Sequence, residues 1–175
     1  VLWWCAAEGD TVSPVSDGTL VYADNGRGGL GTAVAAGGKG DVTGTHRRWK
    51  VNRVPEGFSS PVIVGEYLYR LCSPASLRCR KLATGAEVYT GRVPGASTAA
   101  SPFTTPDGRI YVASAGKSYV IKAGPKFEVL AVSDLGDGSP ASPAVAEGRI
   151  YLKGSKYLYG IGKKEARCSR RACSP

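Results

Sequence analysis

The sequence predicts an all-β fold, a partial β-propeller of about four four-stranded antiparallel blades, on three observations. A Ser-Pro step recurs at residues 13, 60, 101 and 142, at intervals of 47, 41 and 41. Each copy runs through a glycine-containing turn into β-branched and aromatic residues. No stretch of helical length sustains a 3.6-residue apolar period. A repeat of about 40–45 residues is the length of one propeller blade.

Each part of the repeat has a physical reason. Proline fixes φ and pushes the serine before it out of the helical region, so Ser-Pro opens an extended strand. Asp17-Gly18, Gly65-Glu66, Asp107-Gly108 and Glu147-Gly148 then supply tight turns, with glycine taking positive φ. Leu20-Val21-Tyr22, Leu68-Tyr69, Ile110-Tyr111-Val112 and Ile150-Tyr151-Leu152 follow, and such residues suit a half-buried pleated surface. The 24 Gly and 11 Pro are spread along the chain in short clusters, which reads as frequent turns and not as one linker.

A second marker runs in step with the first. Trp3, Trp49, Tyr89 and Leu130 fall at intervals of 46, 40 and 41, and are expected to pack between neighbouring blades, where a large side chain covers the face of the next sheet. Leu82-Ala83-Thr84-Gly85-Ala86-Glu87-Val88-Tyr89 resembles the blade motif of pyrroloquinoline-quinone-like propellers, which carry an Asp, a Thr-Gly turn and a closing Trp. Here Ala83 replaces the Asp and Tyr89 the Trp. The stretches 37–43 and 122–128 are similar to those of secreted bacterial members, planctomycete ones especially. The resemblance extends from residue 1 to about 162.

It implies that the Ser-Pro strand is innermost in each blade and the ring-bearing strand outermost. The expected organisation is then an outer strand at 1–5, blades at about 11–51, 58–91, 99–132 and 139–161, and a basic disordered tail at 163–175. The last blade has strands at 141–146, 149–153 and 157–161 and lacks an outer one, which matches the spare strand at the start. Pairing of 1–5 beside 157–161 would close a small ring. An open arc, or two paired arcs, is favoured instead, because blades of this kind suit a wider ring and open edges promote self-association. Members of the family are longer, so the chain is expected to be a C-terminal half. No methionine occurs, position 1 included, and the coding start is expected upstream.

The net charge is +9. Lys163, Lys164, Arg167, Arg170 and Arg171 of the tail oppose only Glu165, and the rest is dispersed over many turns. Lys and Arg interleaved with stacking aromatics are missing, so specific nucleic-acid binding is not expected. Nor does any apolar run approach the roughly 18 residues of a membrane-spanning helix. Cys5, Cys72, Cys79, Cys168 and Cys173 form no C-x-x-C pair, which argues against structural zinc or a redox motif. Candidate disulfides are Cys72–Cys79, if their hairpin turns at Ala75-Ser76, and Cys168–Cys173. A one-residue change of register would separate the first pair.

Candidate chemistry is sparse. Gly26-Arg27-Gly28-Gly29-Leu30-Gly31 satisfies G-x-G-x-x-G, but the following Thr32–Ala36 runs into further glycines and cannot form the helix that would bind phosphate. A hairpin loop is expected there. His46 is the single imidazole, three residues before Trp49 on an outer strand, and Ser13, Ser60, Ser101 and Ser142 lack a nucleophile-elbow sequence. Asp17, Asp24, Asp41, Asp107, Asp134 and Asp137 lie mostly beside glycine and read as turn residues, without the dense oxygen run of a calcium loop. Quinone-dependent dehydrogenases of the resembled family carry adjacent cysteines, a catalytic Asp with calcium and often a C-x-x-C-H segment. This sequence has neither adjacent cysteines nor C-x-x-C-H.

The expectation is a non-catalytic protein-binding or scaffold module, without catalytic residue, metal or cofactor. By the resemblance it belongs to a periplasmic or extracellular bacterial protein, like the propeller lipoproteins of outer-membrane assembly. The alternatives are a fragment of a quinone-dependent or sugar oxidoreductase, and a truncated sensor domain.

Overall fold

The computed structural model describes residues 1–113 and 116–163. A short strand β1 (Trp3–Trp4) precedes the first blade. That blade contains β2 (Val15–Ser16), β3 (Leu20–Asp24), β4 (Gly31–Ala35), a two-residue strand β5 (Gly40–Asp41) in the connection, and β6 (Arg47–Val51). Blade 2 is β7 (Val62–Val64), β8 (Tyr67–Cys72), β9 (Ser76–Lys81) and β10 (Glu87–Arg92). Blade 3 is β11 (Phe103–Thr105), β12 (Arg109–Ala113), β13 (Lys117–Lys122) and β14 (Glu128–Asp134), and blade 4 is β15 (Ala144–Ala146), β16 (Arg149–Lys153) and β17 (Leu158–Ile161). The described residues form no helix. Blades 1 to 3 are four-stranded antiparallel meanders, with β5 outside the sheet of blade 1, and blade 4 has three strands.

Register gives every blade two apolar faces, because side chains alternate across a strand. One tyrosine per blade marks the face turned toward the next blade: Tyr22 opposite Val15, Tyr69 opposite Val62, Tyr111 opposite Phe103, and Tyr151 opposite Ala144. Leu68 and Leu82 of blade 2 close over Tyr22 and Ala33 of blade 1. Ile110, Val112, Tyr119 and Ile121 of blade 3 close over Tyr69 and Cys79 of blade 2. The core is thus a series of layers between blades. Tyr22 and Tyr69 are fully buried, whereas Tyr111 and Tyr151 are only half-buried.

Two expectations need correction. The strand at 1–5 shrinks to Trp3–Trp4 and pairs in parallel with β5, Trp3 facing Gly40 and Trp4 facing Asp41, while its absence from the side of β17 agrees with the favoured open arc. Gly40 N and Val42 N donate to the Leu2 and Trp4 carbonyls, so the segment stays with the adjacent blade and the arc is open. The hairpin at Cys72 turns over Ser73–Ala75, putting Cys72 opposite Ser76 and Cys79 opposite Tyr69. That register separates the thiols, and both are free and buried. Cys168–Cys173 and the tail beyond Lys163 lie outside the described residues.

Candidate functional site

The glycine-rich loop 25–30 joins two antiparallel strands, β3 and β4. Its amides are spent locally: Gly26 N donates to Asp24 Oδ1 at 2.9 Å, and Leu30 N to Glu8 Oε2 at 3.0 Å. No helix N-terminus follows, so the phosphate cradle of a dinucleotide fold is not built. His46 pairs through Nδ1 with the neighbouring Thr45 hydroxyl at 2.8 Å and lies against Gly38.

The repeat serines have a use that strand opening does not explain. Ser13 N donates to Ser60 Oγ at 3.1 Å, Ser60 N to Ser101 Oγ at 2.8 Å, and Ser101 N to Ser142 Oγ at 2.9 Å. Each blade therefore donates a backbone hydrogen bond to the serine of the next, in a ladder along the innermost strands. The sequence signal was the serine before each of the four repeat prolines, Pro14, Pro61, Pro102 and Pro143, since proline alone suffices to open a strand.

A second connection was invisible in sequence. Arg70 of β8 is buried and spans from blade 2 to blade 1, its Nε 2.8 Å from Asp24 Oδ2 and its Nη2 3.2 Å from Asp24 Oδ1. The rest of the guanidinium donates to the carbonyls of Gly57, Ser59 and Leu71 and to the Ser59 hydroxyl. A buried ion pair is tolerable when its remaining protons are satisfied, and here they are.

The other aspartates hold turns. Asp17 accepts from Thr19 and Leu20 amides and the Thr19 hydroxyl; these bonds, the Leu20 amide first, hold its carboxyl below the usual range. Asp107 is held down mainly by the Thr105 hydroxyl and Asp41 by Thr43. Asp137 is the most committed. It accepts from the hydroxyls of Ser155 and Tyr159 and the amides of Ser155, Lys156 and Tyr157, and these bonds, the Ser155 hydroxyl foremost, hold its carboxyl far below the usual range. Among the described residues no group of three or more His, Cys, Asp or Glu could hold a metal ion. Burial pushes the Cys72 and Cys79 thiols up to about 11, which makes them poor nucleophiles at neutral pH.

The four ring positions lie in unequal surroundings. Trp49 of blade 1 donates from Nε1 to the Leu82 carbonyl of blade 2 at 2.8 Å, and its indole covers Gly85, where a Cβ would stand 2.5 Å from the ring. Tyr89 of blade 2 meets Phe127 of blade 3, centroids 5.8 Å apart, and Phe127 also covers Gly91. Trp3 is half-buried on β1, and Trp4 turns its ring toward Gly40. Leu130 is 44% exposed, because blade 4 offers it no outer strand or turn among the described residues.

Apart from Phe58, the exposed large apolar side chains lie at the two ends of the arc: Val1, Leu2 and Trp4 ahead of blade 1, and the rest in blades 3 and 4. All seven residues of β14 and all three of β15 are exposed. Val132, Val145, Tyr157 and Leu158 are exposed by 54%, 51%, 64% and 71%. Between blades 3 and 4 runs a cleft of about 330 Å³ lined by Phe103, Tyr111, Ala113, Val120, Ile150, Leu152 and Ile161 among others. Phe103 and Tyr111 stack flat at its wall, 4.7 Å apart.

No family model matches the sequence, and no curated protein matches it. Solved structures do. BamB from Moraxella catarrhalis superposes with a TM-score of 0.69 at 17% identity, over 91% of this chain and 49% of that one. Its fold is that of a pyrroloquinoline-quinone-like β-propeller. The computationally designed Ika4 protein superposes at TM-score 0.60 and 11% identity, over 93% of this chain and 98% of that chain. The quinohemoprotein alcohol dehydrogenase ADHIIG from Pseudomonas putida HK5 gives 0.59 at 12% identity, over 86% and 29%. The arc thus spans about half the length of BamB and less of the dehydrogenase. At these identities the likeness concerns the fold.

Proposed function

We propose that the chain is a non-catalytic protein-binding module of an extracytoplasmic protein, and that it binds through the open end of the arc. The observation that carries this reading is the apolar face and edge of blade 4, with the exposed β14 beside it. Contiguous exposed apolar surface on a folded protein marks an interaction site, and an unpaired strand edge is a template for another chain. The polar groups point the same way: Asp24, Arg70, Asp137 and the ladder serines are all engaged in holding blades and turns together. Placement outside the cytoplasm rests on the resemblance given above.

A photoreactive residue at position 158 should cross-link to protein, and the same residue at position 107, in a turn of blade 3, should not. Equal labelling from both positions would contradict the reading. Titration of the chain with pyrroloquinoline quinone and with a nicotinamide cofactor should give no saturable heat, and micromolar saturation by either would favour an oxidoreductase.

A further inference from the structure

We propose that the cleft between blades 3 and 4 is a binding site for a small neutral aromatic molecule of two fused rings. The inference is independent of the protein-binding reading. It comes from a difference between two copies of the repeat.

One row of side chains accounts for the cleft. On the face that blade 2 turns toward blade 3, Leu71, Leu77 and Gly91 lie side by side across β8, β9 and β10. Both leucines are fully buried, and Phe127 of blade 3 covers Gly91. Blade 3 has Ala113, Ser118 and Ser133 in the same row, across β12, β13 and β14. An alanine and a serine thus stand where the blade before holds two leucines. The opposing wall does not compensate. Ile150 pairs with Ile161 in blade 4 as Ile110 pairs with Ile121 in blade 3, and Leu152 stands where blade 3 has Val112. The space is therefore set by small side chains of blade 3, between two neighbouring blades. A cavity left by large-to-small differences costs stability in proportion to its volume unless something fills it.

The lining selects the class of occupant. The cleft measures about 330 Å³, which is within the range of small-molecule pockets. An apolar cavity of roughly 150 Å³ holds one benzene ring, so the space here suits two fused rings. None of the residues lining it carries a charge, and an ionised ligand would lose its hydration without gaining a partner. Phe103 and Tyr111 give the wall a flat aromatic surface, their rings 4.7 Å apart and 6° from parallel, against which another planar ring can pack. Ser118 and Ser133 stand directly opposite each other across β13 and β14, and both line the cleft. Neither hydroxyl has a partner among the described residues. Together they can hold one hydroxyl or carbonyl group of an otherwise apolar ligand.

Calorimetric titration of the 175-residue protein with 2-naphthol tests the site. Saturation at one molecule per chain in the micromolar range is expected. The methyl resonances of Ala113, Val120 and Ile150 should shift, and that of Ala33, in the layer between blades 1 and 2, should not. 2-Naphthoate, charged at neutral pH, should show no saturable binding. Ala113→Leu combined with Ser118→Leu gives blade 3 the leucines of blade 2 and should abolish binding of 2-naphthol. Ser133→Ala is the milder variant, at an exposed residue, and the fold should survive it. Loss of one hydrogen bond should weaken 2-naphthol about fivefold and leave naphthalene unchanged. If the leucine variant does not fold, the methyl shifts and the two Ser133→Ala titrations decide. No saturable binding of 2-naphthol by the wild-type chain would overturn the proposal. So would equal binding of 2-naphthoate, binding that survives the two leucines, or shifts confined to the exposed Leu2 and Leu158.

Discussion

The junction between blades 1 and 2 and the junction between blades 3 and 4 are built from the same repeat and differ in almost every contact. At equivalent register positions the first joins Asp24 to Arg70, while the second sets Ala113 against Leu152. The first is covered from outside by Trp49, hydrogen-bonded to Leu82, and the second carries an exposed Leu130. One is packed and held by hydrogen bonds across the blades; the other holds a cleft of about 330 Å³. The middle junction, with Leu71 and Val112 at these positions, is apolar and closed. A repeat therefore sets where blades lie, and the few residues that differ between copies set how firmly they are joined. The loose junction adjoins the open end, where function is proposed.

The largest expected effect lies at the tight junction. Arg70→Ala should cost about 3–5 kcal/mol in urea unfolding, because Asp24 would remain buried and uncompensated. Replacing both partners, Asp24→Leu with Arg70→Met, should recover most of that loss, since apolar pairs of similar volume often do as well as a buried ion pair. A single variant within about 1 kcal/mol of wild type would show that the pair does not distinguish the junctions.

Next comes the ring position. Trp49→Ala should cost about 3 kcal/mol, from a half-buried ring and one hydrogen bond, and Leu130→Ala no more than about 0.5 kcal/mol, as an exposed site. Equal losses would erase the contrast. Added volume should then have opposite signs at the two junctions. Ala33→Val, in the fully packed layer between blades 1 and 2, should destabilise by about 1–3 kcal/mol through overpacking. Val120→Ile points one more methylene into the cleft and should stabilise by up to about 0.8 kcal/mol.

The smallest effect is one of pH. The folded-state pKa of Asp137 is depressed, so its contribution is complete above the unfolded value of about 3.9 and is lost as pH falls through the folded value. Acid should therefore loosen the 153–158 turn of blade 4, read by amide exchange, and Asp137→Asn should show the loosened turn already at neutral pH. An acid response identical in wild type and variant would remove Asp137 as its cause.

Much of this architecture was legible in the chain. Ser-Pro spacing, turn glycines and the Tyr-bearing strands marked the blades, and the phase of Trp49 and Tyr89 marked their outer strands. The Asp24–Arg70 pair was not legible, because its partners lie 46 residues apart in different repeats, and the two later junctions hold Leu71 with Val112 and Ala113 with Leu152 at these positions. β5 was hidden for a different reason: Gly40-Asp41 has poor strand propensity, and only the arrival of β1 makes it a strand. The turn over Ser73–Ala75 also escaped, and a slip in register there is enough to part Cys72 from Cys79. The serines were seen and undervalued. Their regular spacing marked the repeat, but their hydroxyls act only once a neighbouring blade is in place.

The most direct test of the open end as a docking surface is photo-cross-linking from the blade-4 edge at position 158, which is 71% exposed in the wild-type chain, with position 107 as the control. The account predicts protein adducts from position 158 and none from position 107. Equal labelling from both positions, or none from either, would contradict it.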